Sequence, residues 1–172
     1  MENYLSSLET TQPSKSTRPT FLTVLCILTF IGSGWAIFSG VSSYLTADTT
    51  ADIARAAMQD AQDKMQSADD SGTKIAEKML SGVSDVLKPE NLKKSALFSI
   101  IASVFTLVGA ILMFQLKKTG FWIYVAGIVI TIVAPAIIFG AGNLVSMMST
   151  IGSAFIGIVF IVLYALNLKH LK

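Results

Sequence analysis

A serine or cysteine nucleophile needs an imidazole within hydrogen-bond reach, and the chain carries a single histidine. That residue, His170, stands between Lys169 and Lys172 in a short basic tail, the setting of a solvated side chain. The single cysteine, Cys26, lies inside an apolar run; it has no intrachain disulfide partner and reads as a small apolar core residue. Asp69 and Asp70 are the only adjacent acids, and they precede Ser71-Gly72, where acids are ordinary turn residues. No HExxH, CxxC or glycine-rich phosphate loop occurs, so no catalytic residue, no cofactor-binding residue and no metal ligand is expected. What the spacing does offer is packing chemistry. Gly32, Ala36 and Gly40 recur every four residues, a stripe that drifts by only about 40° per step around a helix. Such a stripe lets two helix backbones approach to van der Waals contact inside a membrane. Ala102, Thr106 and Ala110 repeat the pattern, as do Ser153 and Gly157. Packing within the chain is the first reading of the Gly32, Ala36 and Gly40 stripe, and self-association the second.

These stripes lie in runs that water cannot accommodate. Hydrophobic residues make up 52% of the 172-residue chain and charged residues 14%, against roughly 25% charged in a soluble domain. No Asp, Glu, Lys, Arg or His occurs at positions 19–47, 95–116 or 119–168. This rules out a water-soluble enzyme, a disordered chain and a disulfide-rich secreted module. The net charge of +2 comes from scattered bases with no basic stripe, so nucleic acid is not expected as a partner.

A hydrocarbon core of about 30 Å takes roughly 20 apolar residues per helical span. Residues 1–19 form a polar tail, and residues 20–45 the first span, which reads as an uncleaved signal anchor because its apolar run far exceeds a signal-peptide core. Residues 46–94 form an extramembrane segment and residues 95–116 the second span, with a short turn at 117–120. The uncharged stretch from 119 to 168 would be about 75 Å long as one helix, so it must fold back. The Gly-, Asn-, Ser- and Thr-rich residues 140–150 supply the turn, leaving 121–139 and 151–168 as the third and fourth spans and 169–172 as a tail. Pro135 is expected to kink the third span. The expected fold class is all-α: an integral membrane four-helix bundle with an amphipathic helical hairpin between spans one and two.

Lys and Arg in short flanks set orientation. Lys15, Arg18, Lys117, Lys118, Lys169 and Lys172 fall on one side, which assigns both termini to the cytoplasm. Lys93 and Lys94 oppose this, abutting span two within a segment of nine acids and seven bases. Phe121, Trp122 and Tyr124 suit an interfacial aromatic belt.

Within residues 46–94, Ile53, Ala57, Met58, Ala61, Met65 and Ala68 recur at helical spacing, with Thr49 and Asp52 suited to a helix start. Asp60 and Lys64 form an i,i+4 pair. The pattern breaks at Ser71-Gly72 and resumes with Ile75, Met79, Leu80, Val83, Val86 and Leu87. Pro89 opens the helix that becomes span two, with Glu90 paired toward Lys94. The two helices suggest an antiparallel hairpin that packs on itself, lies on headgroups or docks a partner.

No ionisable residue stands within a span, where one would mark an ion path or proton relay. Gln115 and Asn167, at span ends, suit interfacial solvation. The remaining polarity is Thr29, Ser33, Ser39, Ser99, Ser103, Thr106, Thr131 and Ser153, each able to bond back to its own helix. The segments RPTFLTVLCILTFIGSGW (Arg18 to Trp35) and LKKTGFWIYVAG (Leu116 to Gly127) resemble a set of uncharacterised bacterial four-span membrane proteins. The resemblance implies a bacterial cytoplasmic (inner) membrane location and brings no activity or site residues. The sequence therefore points to a structural or accessory role in the lipid bilayer, beside a membrane-protein partner or a second copy. A subunit of an oligomeric transporter or channel is the alternative.

Overall fold

The computed structural model describes residues 19–66, 73–140 and 142–171. Among these the fold is all-α, with four helices long and apolar enough to cross a membrane. Helix α1 (Thr20–Gln66) runs unbroken for 47 residues, about 70 Å, so span one and the first hairpin helix are a single rod. The helix start expected at Thr49 and Asp52 lies inside it. No Gly or Pro occurs between Gly40 and Gly72, and continuing a helix avoids the cost of nucleating a new one. Thr46 Oγ1 donates to the Ser42 carbonyl (2.9 Å), and Lys64 meets Asp60 at 2.7 Å as expected.

Helix α2 (Thr73–Val86) is followed by α3 (Pro89–Phe114), which starts at Pro89 as expected. The extended backbone of Lys88 (φ −60°, ψ 134°) is what a following proline imposes. The turn from α3 into α4 (Thr119–Phe139) places Leu116 at a positive φ of 64°. The Lys117 N–H donates to the Leu112 carbonyl and the Leu116 N–H to the Met113 carbonyl, closing the C-terminal turn of α3. Helix α4 passes through Pro135.

Helix α5 (Leu144–Ala165) begins earlier than expected, and the turn from α4 shrinks from residues 140–150 to residues 140–143. The cause is Asn143, whose Oδ1 accepts from the Ser146 N–H (3.1 Å) and caps the helix. Ser and Thr beyond it return their hydroxyls to helix carbonyls, as Thr150 does to Ser146 (2.8 Å). The chain then forms a short 3-10 turn at Leu168–His170. Asn167 is not interfacially solvated: it is buried and its Nδ2 donates to the Leu163 carbonyl (2.9 Å).

Helix α3 sits between α1 and α4, and α5 packs chiefly on α4. The contact of α3 with α4 is lined by glycines. A Cβ on Gly109 would stand 2.6 Å from the Tyr124 nitrogen, and one on Gly120 2.5 Å from the Gly109 carbonyl oxygen. Leu22, Leu25, Cys26, Met113, Phe121, Tyr124, Tyr164 and Leu171 form the buried core at the end of the bundle beside the Lys117-Lys118 turn. The outward faces are apolar, with Ile31, Trp35, Phe38, Ile151 and Phe155 all exposed. Large contiguous apolar surface on a folded chain needs a non-aqueous neighbour, and on helices of this length that neighbour is lipid. The chain is a multi-pass membrane protein.

Of the three aromatic residues after that turn, only Trp122 faces outward (70% exposed); Phe121 and Tyr124 are buried. Residues three apart share a helix face and adjacent residues do not.

Candidate functional site

Above the core the four spans do not close. A cavity of about 500 Å³ lies between α1, α3, α4 and α5. Its floor is made by Thr29 of α1, Tyr124 of α4, and Phe160 with its neighbour Tyr164 on α5. Thr29 Oγ1 and Tyr164 Oη are 2.8 Å apart, and the Tyr124 and Tyr164 rings meet at a 60° tilt with centroids 4.8 Å apart. From Phe160 to Ser149, the two ends of its lining on this helix, α5 rises about 16 Å, so the cavity extends toward the α2 end.

The walls carry hydroxyls in layers. Ser33 Oγ lies 3.0 Å from Thr106 Oγ1, and Thr106 gives its own proton to the Ser103 carbonyl (3.0 Å). Higher up, Thr131 donates to the Gly127 carbonyl (3.1 Å) and Ser153 to the Thr150 carbonyl (3.0 Å). Ser99, Ser95 and Ser149 complete the polar lining. The Ser95 oxygen is shielded from solvent and has no hydrogen-bond partner. Pro135 also lines the cavity. Having no N–H, it leaves the Thr131 carbonyl without its helical donor. Among the described residues, those lining the cavity include no Asp, Glu, Lys, Arg or His.

The stripe of Gly32, Ala36 and Gly40 divides between two environments. Gly40 is the close-packing member: a Cβ there would lie 2.7 Å from Ile100 Cγ1 and 3.4 Å from the Ala96 carbonyl oxygen. Gly32 has nothing within 4 Å of its Cβ position, and it lines the cavity with Ala36. The three residues therefore do not share one helix contact. The drift of about 40° per step carries the stripe from α3 toward the open gap between α1 and α5.

That gap is lateral. Helices α1 and α5 touch sparingly, and Leu28, Gly32 and Ile156 on its margins are exposed. At the far end α2 leans on α5, where Asn143 Nδ2 donates to the Gly82 carbonyl (3.0 Å). His170 is exposed and Cys26 is buried in the core, both away from the cavity. Asp69 and Asp70 lie outside the described residues.

Sequence reasoning singled out most of these hydroxyls one helix at a time. It missed Ser95, Ser149, Tyr124 and Tyr164 as members of the site. The signal was present in the four-residue steps Ser95, Ser99 and Ser103, and Ser149 and Ser153, which put hydroxyls along one face of each helix.

Comparison with protein-family models, with curated proteins and with solved structures finds no match to the chain.

Proposed function

We propose that the chain is a non-catalytic multi-pass protein of the bacterial cytoplasmic membrane, with a structural or accessory role toward a membrane-protein partner. The observation that carries this reading is the continuity of α1, which makes the extramembrane segment a stiff outgrowth of the bundle. Two further ties hold that outgrowth. Lys93 at the start of α3 pairs with Asp48 of α1 at 2.8 Å, and Asn143 holds α2 through Gly82. The apolar face of α2 is only partly covered, with Met79 exposed. A rigid two-helix outgrowth with a half-covered face suits docking of a partner helix.

Both termini face the cytoplasm in this reading, following the six basic residues of the short flanks. The Lys93 ammonium, which argues for the reverse, is offset by the Asp48 carboxylate beside it. The bacterial assignment rests on the resemblance of the segments Arg18 to Trp35 and Leu116 to Gly127.

A transporter or channel subunit is the second reading, favoured by the hydroxyl-lined cavity. Its floor of Thr29, Tyr124 and Tyr164 blocks a through path in one chain, so that reading needs an oligomer or a floor that moves.

Affinity purification from native membranes in mild detergent, with mass spectrometry of the eluate, tests the first reading. A stoichiometric partner retained by the wild type and lost in Met79→Arg supports docking through α2. Solute flux in proteoliposomes of the pure chain, with no partner recovered, overturns the accessory reading in favour of transport.

A further inference from the structure

We infer that the cavity is a binding site for an uncharged amphiphile taken from the bilayer, of the monoacylglycerol class, with its hydroxyls inside and its hydrocarbon chain in the α1–α5 gap. The inference rests on membrane embedding alone and is independent of any partner at the hairpin.

Three observations converge on this ligand class. The first is size: about 500 Å³ lies within the roughly 300–1,000 Å³ of small-molecule sites. The second is unmet polarity. The Ser95 oxygen, on the cavity wall, is buried without a partner. Away from water, such a group carries a desolvation cost that a ligand hydroxyl, able both to donate and to accept, would remove. The third is access. The floor is sealed by Thr29, Tyr124 and Tyr164, whereas the gap beside Gly32 and Ile156 opens sideways at membrane depth. A ligand entering there must already be dissolved in lipid.

Charge then selects within that class. A carboxylate or phosphate would enter a low-dielectric site where no lining residue is Lys, Arg or His, at a cost that nothing in the wall offsets. A hydrocarbon without hydroxyls would leave the Ser95 oxygen unmet.

The test uses the full chain in phosphatidylcholine nanodiscs containing a monoacylglycerol with a photoreactive group in its acyl chain. After irradiation, adducts are mapped by peptide mass spectrometry. The expected result is labelling concentrated on residues 28–36 and 153–160, reduced about tenfold by excess monoolein and not by oleate. Ser153→Leu, which fills the cavity, should abolish the competable labelling. Ser39→Leu, which lies outside the lining, should retain it. If Ser153→Leu does not fold, the difference between monoolein and oleate on the wild type decides. Labelling spread over all outward faces, or competed equally by oleate, overturns the inference. So does a crosslink through the gap to a second copy of the chain.

Discussion

Thr29 Oγ1 and Tyr164 Oη lie 2.8 Å apart, and this pair joins the first membrane helix to the last across 135 residues of sequence. It closes the floor of the cavity at the point where α1 and α5 meet. In surroundings without water either hydroxyl that loses the other must find a carbonyl on its own helix or go unpaired.

Tyr164→Phe should therefore weaken the bundle modestly, by roughly 0.5–1.5 kcal/mol, because Thr29 can turn back on its own helix. Tyr164→Ala should cost roughly 3–5 kcal/mol, since it also removes a fully buried ring. Thermal unfolding in detergent measures both. Equal losses for the two variants would mean that the hydroxyl pair, and not the ring, holds the floor.

The glycines of this chain should respond to alanine in opposite directions. At Gly109 and Gly120 a Cβ would meet backbone atoms at 2.6 and 2.5 Å, so Gly109→Ala or Gly120→Ala should destabilise by roughly 1–3 kcal/mol. At Gly32 nothing stands within 4 Å, and Gly32→Ala should stabilise by roughly 0.5–1 kcal/mol through helix propensity. Gly40→Ala should fall between them, because the atom it meets belongs to the Ile100 side chain. Melting temperatures of the four variants in one detergent check the order. A large loss at Gly32 would mean that a helix covers the gap in the membrane.

Asn143 does two separable things, and two substitutions should part them. Asn143→Asp keeps an acceptor for the Ser146 N–H and loses the donor to Gly82, so it should free α2 while α5 stays capped. Asn143→Ala should do both, at roughly 1 kcal/mol for the cap alone. Hydrogen exchange read by mass spectrometry should rise over residues 77–86 in both variants, and over the first turn of α5 only in Asn143→Ala. Unchanged exchange over 77–86 in both would show that α2 is held by other contacts.

The proposed orientation predicts asymmetric labelling. Ser81 and His170 are both exposed, and Cys26 is buried out of a reagent's reach. In intact cells whose outer membrane has been made permeable, an impermeant thiol reagent should modify Ser81→Cys and spare His170→Cys. The reverse pattern would place both termini outside.

The existence and number of the spans follow from sequence alone. Charge-free runs of this length have one stable solvent, and in it the backbone must close its own hydrogen bonds as helix. Local chemistry was equally readable: Pro89 starts α3, and Glu90 with Lys94 (3.8 Å) forms an i,i+4 pair. What a single helix cannot encode is which neighbour its small residues meet. Gly32, Ala36 and Gly40 mark a smooth stripe, yet Gly40 packs against Ile100 and Ala96 of α3 while Gly32 has no neighbour within 4 Å of its Cβ position. The hydroxyls behave alike. Each of Thr29, Ser33 and Thr106 could have bonded to its own backbone. Thr29 and Ser33 reach across to Tyr164 and Thr106 because the positions of four helices, set by packing over the whole bundle, bring those oxygens within 3.0 Å. The cavity is what remains where that packing leaves α1 and α5 apart, a property of all four helices together and of no segment by itself.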